Sequence, residues 1–355
     1  MSSDAVLVAG GAGYIGSQTC KALRAAGLVP VTFDNLSTGH RDFVKWGPLV
    51  EGDIRDHGAF AGAMRHHGVA AVLHFAACAY VGESVENPRK YFRNNVLAAL
   101  NLLDTAVEAG VRRFVFSSSC AVYGVPQRSP ITEQTPREPV NPYGASKLFF
   151  ENALEAYGRA YGLHSVILRY FNAAGADESG EIGEIHEPET HLIPLALAAA
   201  TERGSELHIY GTDYPTADGT CVRDYIHVSD LADAHVQALH YLRKNDGNQG
   251  GDALAINLGT GRGYSVLEVV QAAESATGRR VRRTMGLRRP GDPPVLVADA
   301  TKAKKVLGWT AKRNLEHIVS SAWAWMQKNS ADGRRPVSSV RSFEDKEDSF
   351  SQSRA

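Results

Sequence analysis

The feature that most constrains the fold lies near the start of the chain. A short apolar run, Ala5–Val8, leads into Gly10-Gly11-Ala12-Gly13-Tyr14-Ile15-Gly16 and then an Ala-rich helical stretch, Ile15–Ala26, closed by Gly27 at its C′ position. Glycines at 10, 13 and 16 in a strand-to-helix turn let the backbone approach a pyrophosphate and aim a helix N-terminus at it. Tight turns also select glycine, so the pattern alone is weak; its strand–turn–helix setting makes it a candidate dinucleotide loop. The second strand, Val29–Phe33, runs into Asp34, eighteen residues beyond Gly16. A carboxylate there accepts hydrogen bonds from an adenosine ribose and repels a 2′-phosphate, which favours NAD over NADP. Asp53, in Glu51-Gly52-Asp53-Ile54, ends a third strand and suits an adenine contact. Taken singly, either aspartate is as readily a turn or cap residue.

The alternation continues with strands at Ala71–Phe75, Phe114–Ser117 and Ser165–Tyr170 and a helix at Asn94–Ala109, closed by Gly110. Strand, helix, strand in this rhythm predicts right-handed crossovers and an α/β fold, a Rossmann-type doubly wound parallel sheet. After Asn172 the texture changes. A polar, acidic connection, Gly175–Thr190, precedes an apolar helix at Ile193–Arg203, and a polar loop, Gly211–Thr220, precedes Val222–Val228. A helix at Leu231–Leu242 and a strand at Leu254–Leu258 read as a return to the sheet. Ser265 with Glu268 forms a capping box, and Asp299 is expected to cap Ala300–Leu307, stopped by Gly308. The expected organisation is a dinucleotide-binding domain from 1–175 plus about 221–262, and a smaller α/β substrate-binding lobe from 176–220 plus about 263–329. The tail, 330–355, is rich in Ser, Arg, Asp and Glu and is expected to be disordered.

Composition narrows the function classes. A net charge of -1 gives no global field for nucleic acid or an anionic membrane, and no apolar run approaches a membrane span. Six arginines between Gly278 and Arg289 lack interleaved aromatics, so they read as a solvated face rather than a nucleic-acid surface. Cys20, Cys78, Cys120 and Cys221 have no CxxC spacing, which suits reduced, buried thiols in a cytoplasmic protein. No signal peptide is evident after Met1. His186-Glu187-Pro188-Glu189-Thr190-His191 misses the HExxH zinc spacing by one residue, and Pro188 disfavours the helix that would align its ligands; no metal is expected.

Tyr143 and Lys147, in Tyr143-Gly144-Ala145-Ser146-Lys147, lie one turn apart on one face if helical. A tyrosine hydroxyl titrates near 10 in water. A neighbouring ammonium and a nicotinamide's positive charge would favour the phenolate and lower that value. Ser117-Ser118-Ser119 follows a strand, at the carboxyl edge where such sheets place ligands. A Tyr/Lys pair on a helix surface is common; this pair, after a serine run and a dinucleotide loop, is far more specific.

These residues resemble the extended short-chain dehydrogenase/reductase family, and within it the UDP-galactose 4-epimerase group. GGAGYIGS, DNLS, EGDIRD, HFAA, VGESV, NNV, SSSCAVYG, NPYGASK, LRYFNAAGA, YPTADGTCVRDYIHVSDLADAH, NLGTG and RRPGD are similar to that group's motifs, in its order, over residues 5 to 328. The resemblance implies an isomerase that epimerises a UDP-sugar at C4 with tightly held NAD, through a transient 4-keto sugar. It implies Ser119, Tyr143 and Lys147 as the catalytic triad, with Tyr143 as base and Lys147 holding the nicotinamide ribose. It implies cofactor contacts from Gly10, Gly13, Tyr14, Ile15, Gly16, Asp34, Asn35, Asp53, Ile54, Phe75, Ala76, Ala77, Asn94, Ser117, Tyr143, Lys147 and Tyr170. Substrate contacts implied are Ser119, Tyr143, Asn172, His191, Leu192, Tyr210, Arg223, Arg289 and Asp292, the two arginines clamping the diphosphate and Asp292 touching a ribose. It further implies a homodimer built partly from the helices Asn94–Ala109 and Tyr143–Tyr161.

Departures bear on cofactor and sugar. Ala9 replaces a threonine common before the glycines, and Ala79 stands where many relatives carry a lysine near the nicotinamide ribose or phosphates. Leu296 occupies a sugar-pocket wall position where a bulky aromatic would exclude N-acetylated sugars, leaving UDP-N-acetylglucosamine and the pentoses UDP-xylose and UDP-arabinose as alternatives. A 4,6-dehydratase needs a carboxylate beside the catalytic serine, where this chain has Cys120 and Ala121. A non-catalytic NAD-binding sensor need not keep Ser119, Tyr143 and Lys147 together.

Overall fold

A computed structural model describes residues 4–201, 204–245, 251–289 and 291–331. Six strands build most of the central sheet: β1 (Ala5–Ala9), β2 (Val29–Asp34), β3 (Leu49–Glu51), β4 (Ala71–His74), β5 (Arg113–Ser119) and β6 (His164–Tyr170). The strand Ala253–Leu258 joins beside β6, so the seven strands run Ala253–Leu258, β6, β5, β4, β1, β2, β3, all parallel. The order reverses at β1, where Ala9 faces Phe33 of β2 on one side and His74 of β4 on the other. A crevice opens at the carboxyl ends of the strands at such a switch point, and the glycine turn lies there.

Both faces of the sheet are covered, as a parallel sheet requires. Alternate side chains of β1 divide between them: Val6 and Val8 pack with Leu23, Leu168 and Leu231, and Leu7 and Ala9 with Phe33, Phe60 and Leu102. Each fully buried Val, Leu or Phe contributes about 1.5–3 kcal/mol. Helix α1 (Tyr14–Ala25) packs on the helix Val228–Lys244, fixing the glycine turn against the returning chain. A third core gathers Ile193, Leu197, Tyr214, Val269, Val270 and Ile318, drawn from two separated stretches of chain. Asp224 ties these regions together: its buried carboxylate accepts the N–H groups of Thr260, Gly261 and Ala298 at 2.8–3.2 Å.

Several elements differ from the sequence expectation. The helix expected over Asn94–Ala109 begins as a π-helical turn, Arg93–Ala98, before the α-helix Ala99–Glu108. Ser117–Ser119 complete β5 instead of following it, because they keep pairing in register with β6. Val222–Val228 splits into strands Val222–Arg223 and Tyr225–His227, which flank Asp224 and join different sheets. Asp299 accepts the N–H of Thr301 at 2.8 Å, but the helix starts one residue later than expected, at Thr301. The apolar helix runs Leu192–Ala199; Arg203, its expected end, lies outside the described residues, as does the expected disordered tail beyond Ala331. The cysteines are unpaired, with Cys20 and Cys221 buried and Cys78 and Cys120 half-buried. Among the described residues no helix is long and apolar enough to cross a membrane.

Three buried histidines set an acid limit on stability. Burial lowers His74 to about 3 and His227 and His235 to about 4. The folded chain holds them neutral, while the unfolded chain protonates each near 6.5. Their contribution is complete above 6.5 and is lost as pH falls towards 4, by about 1.4 kcal/mol per histidine per pH unit inside that window. Urea unfolding should therefore show a marked loss of stability from pH 7 to pH 5. His235 Nδ1 donates to Leu231 O at 2.8 Å and Nε2 is buried without a partner, so His235→Leu should shrink that loss. An unchanged pH dependence in this variant would rule the account out.

Candidate active site

The glycine turn is built for close approach. Gly10 has φ +82, and a Cβ there would sit 2.6 Å from Ala76 N; one on Gly16 would sit 2.1 Å from Gly10 O. Gly13 precedes α1 with no side-chain cap, and the helix has no acidic residue in its first turn. An uncapped helix start free of carboxylates at the sheet's carboxyl edge fits a pyrophosphate. Tyr14 hydroxyl donates to Gly175 O, Ile15 is half-buried behind the turn, and Phe75, Ala76 and Ala77 follow β4 along the same edge.

Asp34 ends β2 with its carboxylate fixed from two sides, accepting Ala12 N–H at 2.9 Å and Leu36 N–H at 2.8 Å. Burial raises its carboxyl above the usual range despite those bonds. Leu36 has φ +57, left-handed backbone that costs a leucine about 1–2 kcal/mol. Asn35 Nδ2 donates to Asp53 at 2.9 Å, and Arg55 holds Asp53 well below the usual carboxylate range. Ile54 is buried, and its carbonyl accepts Asn101 Nδ2 at 2.7 Å. These groups line up beyond the glycine turn as an adenosine half-site would require.

The reactive end sits where β5 and β6 finish. The helix Pro142–Tyr161 starts with Asn141 accepting Gly144 N–H at 2.8 Å, which sets its first turn and carries Tyr143 and Lys147 to that edge. The neighbouring Ser119 hydroxyl favours the phenolate of Tyr143; burial outweighs it and pushes Tyr143 up to about 12. Without the nicotinamide's charge, Lys147 does not bring Tyr143 below its ordinary value. Lys147 Nζ lies 5.7 Å from the Tyr143 ring centroid and donates to Ser117 O at 2.8 Å. Burial lowers Lys147 to about 8, opposed by Cys78 and Glu151. Ser117 Oγ hydrogen-bonds the Tyr170 hydroxyl.

Sequence reasoning missed two supports of this edge. Asn94 is half-buried, and its side chain reaches only its neighbour Asn95, which is buried. Asn95 bonds both the N–H and the carbonyl of Cys78, at 2.8 and 2.9 Å, and Ser146 Oγ at 3.1 Å, tying the loop after β4 to the Tyr143 helix. The motif NNV contains both asparagines, and the π-helical turn decides which faces inward. The second support is Glu151, wholly buried and bonded by Arg169 at 2.7 and 2.9 Å and by Ser118 Oγ at 2.5 Å.

The substrate candidates gather across the crevice. Arg223 is nearly buried and ion-paired with Asp292, so two residues read separately form one unit. Arg289 stacks on Tyr210 with 3.9 Å between its guanidinium carbon and the ring centroid. Asn172 follows β6, and its N–H donates to Asp224 O at 3.0 Å, next to Arg223. Leu296 pairs with Arg223 through parallel short strands. His191 and Leu192 open the helix Leu192–Ala199, but the His191 ring turns to Glu184. As Pro188 demands, the residues before it are not helical; the loop nevertheless folds His186, Glu189 and His191 together with Glu184.

A tyrosine beside a serine hydroxyl, a buried lysine one helical turn away and a glycine turn suited to a pyrophosphate at the carboxyl edge of the same sheet define a dinucleotide-dependent enzyme of the short-chain type. The chain belongs to the NAD dependent epimerase/dehydratase family, whose profile matches residues 6–259. It is 52% identical over 333 residues to the UDP-glucose 4-epimerase of Rhizobium meliloti (strain 1021), covering 94% of this chain and 100% of that protein. The fold is similar to UDP-glucose 4-epimerase from Brucella ovis in complex with NAD, at 53% identity and TM-score 0.87, over 90% of this chain and 97% of that one. It is also similar to the enzyme from Stenotrophomonas maltophila with bound NAD and formylated UDP-arabinopyranose, at 42% identity and TM-score 0.88, over 92% and 99%.

Proposed function

We propose that this chain interconverts UDP-galactose and UDP-glucose by NAD-dependent epimerisation at C4 of the sugar. The observation that carries the reading is Tyr143 beside Ser119 at the carboxyl edge of the sheet, with Lys147 Nζ 5.7 Å from the Tyr143 ring centroid and buried one helical turn away. NAD held by the glycine turn, Asp34 and Lys147 would supply reversible hydride acceptance at C4. Tyr143 takes the proton of the sugar 4-hydroxyl and later gives it back, with Ser119 hydrogen-bonded to the same oxygen. Lys147 holds the nicotinamide ribose and contributes positive charge, which opposes the burial that keeps Tyr143 protonated. The 4-keto sugar stays tethered through its nucleotide and turns over in the pocket before reduction on its other face. Arg223, Arg289 and Asn172 grip the diphosphate, Asp292 a ribose, and Tyr210, Leu192 and the backbone at His191 the uridine side, the His191 ring being turned to Glu184.

Residues 1–175 with about 221–262 serve as the NAD-binding unit, and 176–220 with about 263–329 as the UDP-sugar lobe. The unpaired thiols suit a reducing cytoplasm. The functional unit is a homodimer. Val85, Phe92, Leu97 and Phe149 are large exposed apolar side chains on helices that pack side by side, which favours burial against a second copy. Analytical ultracentrifugation should give twice the chain mass, and Leu97→Glu with Phe149→Glu should give the monomer; a monomeric parent chain would exclude the dimer.

The deciding experiment incubates the purified protein with UDP-galactose and no added NAD, following sugar composition and NADH absorbance. UDP-glucose formed without bulk NADH supports the reading. If no product appears with NAD added back, and none from UDP-N-acetylglucosamine or UDP-xylose, the C4-epimerase reading is wrong.

A further inference from the structure

We propose that Glu184, His186, Glu189 and His191 form a binding site for one divalent transition-metal ion, with zinc the best match. The four side chains each present one donor atom, and all four atoms lie within 4.8 Å of one another. A tetrahedral zinc with bonds of about 2.0–2.1 Å needs donors roughly 3.4 Å apart. His186 Nδ1 lies 3.1 Å from Glu184 Oε1 and 3.8 Å from Glu189 Oε2, and His191 Nδ1 lies 3.5 Å from Glu189 Oε1. Parting His191 Nδ1 from its 2.5 Å contact with Glu184 Oε1, with smaller adjustments elsewhere, would convert this arrangement into a coordination shell.

Three further observations point to an ion. The side chains of Glu184 and Glu189 are only 6% and 2% exposed, so their oxygens meet the two histidines with little water between them. His186 Nδ1 is shut off from water and, though 3.1 Å from Glu184 Oε1, makes no well-directed hydrogen bond. Glu189 is already oriented, its Oε1 accepting the N–H groups of Thr190 at 2.7 Å and His191 at 2.8 Å, as ligating carboxylates are held from outside. Two imidazoles with two carboxylates favour zinc, nickel or cobalt over calcium or magnesium, which prefer all-oxygen shells. The ion would displace the protons of the two imidazoles, and two neutral imidazoles, two carboxylates and a divalent ion sum to zero charge. His191 is exposed and gives the ion an entry path. His186 also packs on Tyr80, with ring centroids 5.7 Å apart, so the ion would pin this loop to the segment after β4.

The test titrates zinc chloride into the dialysed full-length protein in competition with a chromophoric chelator. One equivalent should bind, and both His186→Ala and Glu184→Gln should weaken it at least tenfold. His66→Ala/His67→Ala, which removes the histidine pair at the end of helix His57–His67, should bind zinc as the parent does. Cobalt(II) should give the intense visible bands of a tetrahedral site in the parent and lose them in His186→Ala. Circular dichroism identifies any variant that fails to fold, and the parent's cobalt spectrum and stoichiometry need no variant. No stoichiometric binding, or binding indifferent to His186 and Glu184, would overturn the site and leave the four residues an ion-pair cluster only.

Discussion

Tyr143→Phe should lower kcat for UDP-galactose about 10²–10⁴-fold, the range general acid–base catalysis contributes, while the protein keeps its fold and bound NAD. The variant removes one oxygen from a buried side chain that neighbours Ser119. Phenylalanine fills the same space, so packing is retained and the loss reports proton transfer. NAD released by acid denaturation measures retention, and conversion to UDP-glucose measures rate. A variant within tenfold of the parent would move the base elsewhere. Because burial pushes Tyr143 up to about 12, the chain by itself holds a neutral phenol at pH 7. The cationic partners of the loaded site must therefore do most of the work of favouring the phenolate, which makes Lys147 indispensable in the same assay.

The second large effect is on stability. Glu151→Ala should cost about 3–5 kcal/mol, read as a lower urea midpoint, because it strands a buried charge. Glu151 is wholly buried, Arg169 is 3% exposed, and the guanidinium reaches the carboxylate through two bonds. Arg169 Nη1 also donates to the Tyr123 hydroxyl at 2.9 Å, which in turn donates to Asn257 at 2.7 Å. The network crosses β5, β6 and the Tyr143 helix through Ser118 and Arg169, the residues just before Ser119 and Tyr170 on their strands. Replacing both partners, as Glu151→Leu with Arg169→Met, should recover much of the lost stability, since no charge is then left unpaired. A double variant as unstable as the single one would show that packing, not the stranded charge, sets the cost.

Positions whose chemistry is local were legible in the sequence. The glycine turn is determined within seven residues, because φ +82 at Gly10 and the contact of Gly16 with Gly10 arise inside one strand–turn–helix unit. The spacing of Tyr143 and Lys147 on one helix needs only the helical repeat. The alternation of apolar strands with capped helices likewise decided a parallel sheet. What the tertiary structure alone decided are relations between distant segments. Arg223 and Asp292 are 69 residues apart in sequence and share an ion pair; Glu151 and Arg169 meet only because β6 lies under the helix. Asn95, not Asn94, turns inward because a π-helical turn shifts the helix phase, which composition does not encode at one-residue precision. The histidines and glutamates of the 184–191 loop show the limit most plainly. Their spacing misses the HExxH motif by one residue, and Pro188 disfavours the helix, yet a loop can bring donor atoms together without any fixed period. Periodic structure is written in sequence spacing; convergence through loops and across strands depends on packing that spacing does not record.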